Sequence, residues 1–125
     1  MPVVGRLLSG DDFARVLRAR RVGASRHFEL FADAAGTAGP RLGLAISKRT
    51  APTAVLRNLA KRLARESARA CTGLMPADYV VRSRVVLNAN WRAAKVAKQT
   101  SAFKRGLRSE LDGLFARVSA AEDKK

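Results

Sequence analysis

The segment AVLRNLAKRLARESARA, residues 54–70, has two opposed surfaces and needs two different neighbours. At about 100° per residue, a helix gathers Leu56, Leu59 and Leu63 on one side and Arg57, Asn58, Lys61, Arg62, Arg65 and Arg69 on the other. The leucines require a core. Cations at i and i+4 repel one another by roughly a few tenths of a kcal/mol per pair. A row of phosphates opposite them converts that repulsion into attraction and releases counterions, so binding would depend strongly on salt. Arginine suits such a row because its planar fork grips two phosphate oxygens. Pro52 makes 50–53 a loop before the helix, and Gly73 and Pro76 end it.

The rest of the chain shares the bias. Among 125 residues, 25 Lys plus Arg stand against 10 Asp plus Glu, a net charge of +15. Glu66 is the only acid between Ala34 and Ala77, and none lies from Tyr79 to Ser109. A surface built for solubility intersperses signs, whereas long acid-free stretches form a field for a polyanion. Nucleic acid is the leading partner and an anionic membrane surface the second. The field alone does not separate DNA from RNA. Hydrophobic content of 47% supports a real core, and the length is that of one domain, expected over 1–119 with a frayed tail at 120–125. A single cysteine, Cys71, cannot form an intrachain disulfide and fits a reducing cytoplasm. Neither a membrane span nor a signal peptide is expected.

Patterning predicts an α/β chain of alternating helices and strands. Ser9 or Asp11 caps a first helix that carries Phe13, Val16 and Leu17 and runs to about Arg20. HFELFA reads as a strand with Phe28 and Leu30 on one face, Glu29 and Phe31 on the other. AAGTAGP (34–40) is a loop. RLGLAISK (41–48) is a strand with Leu42, Leu44 and Ile46 on one face and only Gly43, Ala45 and Ser47 on the other. That low floor is either closely packed or occupied by a ligand. DYVVRS (78–83) is a further strand. Leu87 to Trp91 is a loop or helix start, with Asn88 or Asn90 as caps and Trp91 as a half-buried anchor. One long last helix has the stripe Val96, Thr100, Phe103, Leu107, Leu111, Leu114, Val118.

Catalytic chemistry is poorly provided for. Asp11, Asp12, Glu29, Asp33, Glu66 and Asp78 form no spaced cluster for a two-metal nuclease. Glu66 is expected to pair with Arg62 or Arg69 on its own helix. His27, the only histidine, has no partner for acid–base catalysis and reads as a strand-edge residue. Cys71 reads as a small buried apolar group.

The arrangement R-N-x-x-K-R-x-x-R-E, here Arg57, Asn58, Lys61, Arg62, Arg65 and Glu66, resembles the signature helix of the bacterial ribonuclease P protein component. RLLSGDDFARVL (6–17), RLGLAISKR (41–49) and DYVVRSR (78–84) are similar, in order, to its opening helix, central strand and later strand. The resemblance covers residues 6–115. It implies an α/β sandwich, a small mixed sheet with helices packed on it in the order αβββαβα with a left-handed βαβ crossover, and a protein that is not itself catalytic. Such a protein, monomeric and 1:1 with a catalytic RNA, assists that RNA in cutting the 5′ leader from precursor tRNA, with magnesium held mainly by the RNA. It implies RNA contacts at Arg57, Asn58, Lys61, Arg62 and Arg65, joined by Arg69, Lys48 and Arg49. It also implies a cleft for the single-stranded leader at Phe13, Leu17, Phe31, Gly43, Ala45 and Ser47. Leu59 departs from a family arginine, Leu17 stands where an aromatic is frequent, and the loop before Arg57 is one residue longer. The rivals are a general structured-RNA binder of ribosomal type, a DNA-binding regulator, and a membrane-surface protein.

Overall fold

The computed structural model describes residues 4–7, 9–34 and 39–119. Within them the chain forms β1 (Gly5–Arg6), α1 (Gly10–Ala19), β2 (Arg20–Ala24), β3 (Phe28–Asp33) and β4 (Arg41–Ala45). It continues with α2 (Ala54–Ala70), β5 (Asp78–Ser83), α3 (Val86–Val96) and α4 (Thr100–Ala116). The strands make one mixed sheet in the order β1-β4-β5-β3-β2. β4 is parallel to both β1 and β5, while β3 is antiparallel to β5 and β2. A bulge between Arg21 and Gly23 bends β2.

Alternation along the strands sorts the two faces. Phe28, Leu30, Leu42, Ile46, Tyr79 and Val81 join the buried residues of α2, α3 and α4 in one large core. Leu56, Leu59 and Leu63 of α2 lie in it, each contributing roughly 2 kcal/mol of burial. On the opposite face Phe31 and Val80 meet Val16, with Phe13 and Leu17 of α1 packed beside them. Thr53 starts α2 by accepting the Leu56 N–H at 3.2 Å. Ser9, not Asp11, caps α1, accepting from the Asp11 N–H at 3.1 Å.

Several expectations are corrected. The order αβββαβα lacks β1 and α3, and the last helix is two. α3 ends at Val96, which is 87% exposed and does not belong to the apolar stripe of α4. Neither Asn88 nor Asn90 caps α3, since both lie inside it. Trp91 is an α3 residue only 6% exposed, not a loop anchor. β4 stops at Ala45, because Ser47 turns the chain by accepting the Thr50 N–H at 3.3 Å and the Ala51 N–H at 2.9 Å. The tail at 120–125 and most of the 34–40 loop lie outside the described residues.

Candidate nucleic-acid interface

Among the described residues, the cations on the outward face of α2 have no counter-charges. Asn58, Arg62 and Arg69 are exposed, and Lys61 and Arg65 half-buried. Among the described residues, no ion pair reaches these cations, nor Arg57, Lys48 or Arg49. Arg57 does not point freely outward as the helical projection suggests. Its Nη1 donates to the carbonyls of Ala51 and Pro52, both at 2.9 Å, and so clamps the entering loop to the helix. Glu66 pairs with neither Arg62 nor Arg69. It lies about 180° around the helix from Arg57 and meets Arg108 of α4 at 3.5 Å.

The acids are spent inside the fold. Asp78, 1% exposed, receives Arg41 through two donors at 2.7 and 2.6 Å and Arg15 at 2.6 Å. Arg15 also reaches Asp33 at 2.5 Å and Asp12 at 3.1 Å. Arg41 and, against burial, Arg15 hold the Asp78 carboxyl below its usual range. Burial pushes Glu29 up, but Arg82 and Arg21 outweigh it, leaving the carboxyl below its ordinary value. Asp112 takes Arg108 at 2.9 Å.

Strand register places three rows of residues on the α1 face. The first is Asp33, Asp78 and Arg41; the second Phe31, Val80 and Gly43; the third Glu29, Arg82 and Ala45. α1 covers the first two. Arg15 fastens it to the first row. On the second, a Cβ at Gly43 would stand 2.6 Å from the tip of the Phe13 ring, so Gly43 is covered by close packing. Phe31 is 6% exposed, and the Arg82 guanidinium lies 4.8 Å from its ring centre. The third row is open. It floors a groove of about 640 Å³ bordered by Glu29, Ala45, Ser47, Arg49, Arg82 and Arg84. Lys48 stands exposed on the adjoining turn. Of the six cleft positions, the structure therefore brings Ala45 and Ser47 to open space, buries Phe31 and Gly43, and half-buries Phe13 and Leu17. Glu29, Arg82 and Arg84 were absent from the sequence-based site. The alternation of β5, which puts Asp78, Val80 and Arg82 on one face, was the signal for Arg82.

The family Ribonuclease P matches residues 1–115 of this sequence. The chain belongs to the ribonuclease P protein family. A "Ribonuclease P protein component" of Bordetella parapertussis is 37% identical over 125 residues, spanning 95% of each chain. One of Ralstonia pickettii is 40% identical over 115 residues, spanning 91% of this chain and 79% of its own. The ribonuclease P protein of Staphylococcus aureus shares the fold with TM-score 0.69 at 22% identity, over 94% of this chain and 99% of its own. That of Thermotoga maritima does so with TM-score 0.69 at 24% identity, over 92% and 98%. Membership places the chain in tRNA processing as a ribonuclease P protein component.

Other polar groups of this family member are structural. His27 is 5% exposed rather than at a strand edge. Its Nδ1 faces Glu110 at 2.6 Å and its Nε2 faces the Asn90 amide at 2.9 Å, which ties the β2–β3 turn to α3 and α4. Cys71 is partly buried, with its Sγ 3.7 Å from the Phe115 carbonyl, and burial pushes the thiol up. Among the described residues, no three of His, Cys, Asp or Glu are placed together to hold a metal ion. No described helix is long and apolar enough to cross a membrane.

Proposed function

We propose that the chain acts in the cytoplasm as a monomer, 1:1 with the catalytic RNA of ribonuclease P, and assists magnesium-dependent removal of the 5′ leader from precursor tRNA. The observation carrying this reading is the separation of charge. Asp12, Asp33, Asp78, Glu66 and Glu110 tie α1, the sheet and the later helices together, while Lys61, Arg62, Arg65 and Arg69, beside Asn58, face outward with no counter-charge among the described residues. Those groups contact phosphates of the catalytic RNA, with Lys48 and Arg49 extending the contact to the end of β4. The open third row takes the single-stranded leader. Its backbone meets Arg49, Arg82 and Arg84, and Ala45 keeps the floor low. Phe13, Leu17, Phe31 and Gly43 shape this cleft from beneath and beside, rather than as a bare stacking platform. Magnesium is held by the RNA, and the protein's part is electrostatic: it lowers phosphate repulsion and so raises affinity for substrate and for the ions. The carboxylates that do meet, Asp12, Asp33 and Asp78, are taken up by Arg15 and Arg41, which supports a non-catalytic protein.

The test is precursor-tRNA cleavage at low magnesium with catalytic RNA alone, protein alone, both, and neither. Cleavage only with both is the expected result. No stimulation of a competent RNA would reduce the chain to a general RNA binder. Cleavage by protein alone would overturn the non-catalytic assignment.

A further inference from the structure

The acid-free run from Tyr79 to Ser109 contains more cations than the leader groove uses. Arg82 and Arg84 border that groove, and Arg108 holds Glu66 and Asp112. Arg92, Lys95, Lys98, Lys104 and Arg105 remain, on α3, on the link after it and on the first half of α4. Among the described residues, none of them has an ion-pair partner.

Two observations give this set a geometry. A second groove, of about 290 Å³, runs between α2 and the α3–α4 pair and is lined by Val55, Asn58, Leu59, Arg62, Trp91 and Lys104. Lys95 stands over the Trp91 ring, 5.7 Å from its centre. Arg62 and Asn58 thus face Lys104 across one depression, and Lys95 stands against Trp91, which lines it. Trp91 is 6% exposed and leans on Phe103, so its ring is not offered to bases. A surface of this kind contacts backbone phosphates and carries no sequence information.

The other observation is the backbone of Lys98, whose φ is 55°. α3 ends with the Lys98 N–H donating to the Lys95 carbonyl at 3.2 Å and the Gln99 N–H to the Ala94 carbonyl at 2.8 Å. The left-handed corner of this motif is normally glycine, because a Cβ there crowds the following carbonyl. A lysine in that conformation is strained, and such strain tends to persist where the side chain serves a function. Here it holds an exposed cation at the turn between α3 and α4.

We infer that α3 and the first half of α4 form a second RNA-backbone face. On it, Lys95, Lys98 and Lys104 hold phosphates of an RNA segment lying alongside the segment held by α2. The inference rests on the RNA-binding reading above and extends it to a second strip of the molecule.

The full chain carrying Lys95→Gln, Lys98→Gly and Lys104→Gln is titrated at several salt concentrations against the catalytic RNA of ribonuclease P and, separately, against precursor tRNA. Removing about three phosphate contacts flattens the dependence of log affinity on log salt by about 2–3 in one of these arms. That arm names the RNA that lies on the face. Lys98→Gly alone melts no lower than the parent yet reduces that slope by about 1, a combination that a purely structural lysine would not give. Unchanged slopes in both arms, with Lys61→Gln/Arg62→Gln/Arg69→Gln still weakening binding, would overturn the second face and leave the α2 reading intact. Unchanged slopes in every variant would overturn both.

Discussion

Asp78 shows how one residue links charge to architecture. It is 1% exposed, yet it is fully ion-paired, because Arg41 comes from β4 and Arg15 from α1. The carboxyl is held below its ordinary value, so its contribution to stability is present above the unfolded-state value of about 4 and is lost as pH falls through the folded value. Asp78→Asn is expected to lower stability by about 2–3 kcal/mol near neutrality and to flatten the loss of stability between about pH 5 and pH 2. Thermal melts across that range check both. An acid limb unchanged in the variant would mean that other carboxylates dominate it. Gly43 teaches a related lesson. The low floor was legible in RLGLAISK, but whether Phe13 or a ligand lies on it was not, because the answer depends on how α1 crosses the sheet. Nothing in β4 encodes that crossing. Arg15, twenty-six residues earlier in the chain than Arg41, fastens it.

At the level of elements, α2 was readable to its ends. Its leucine spacing, the break at Pro52 and the terminating Gly73 and Pro76 all act locally. β1 was not readable, since two residues have no periodicity and their pairing with Arg41 and Leu42 is purely tertiary. The break between α3 and α4 escaped because Val96 continues the spacing of the later stripe, while a left-handed lysine gives no glycine to mark the stop. The signature face of α2 was also legible as charge, though not in its division of labour. Arg57→Ala is expected to destabilise the fold by about 1 kcal/mol, through two lost bonds to loop carbonyls. Lys61→Gln/Arg62→Gln/Arg69→Gln should leave the melting temperature nearly unchanged while reducing RNA affinity. Melts and salt-dependent binding of the two variants, side by side, separate these roles. Equal destabilisation would refute the clamp.

Across the whole molecule, a net charge of +15 works against compactness. Raising salt from about 10 mM to 150 mM shortens the screening length from roughly 30 to 8 Å. The free protein should therefore melt higher in the saltier buffer, even as its RNA complex weakens. A melting temperature that falls with salt would mean that internal ion pairs such as Asp78–Arg41 outweigh the repulsion. The sheet must also manage its borders. One border is the two-residue β1; the other is β2, bent by its bulge and opening with exposed Arg20 and Arg21. Short, bulged or cationic edges are poor templates for strand addition. When an RNA partner neutralises that charge, repulsion no longer keeps separate copies apart. The blunted borders then become the safeguard that keeps neighbouring copies from zipping into aggregates.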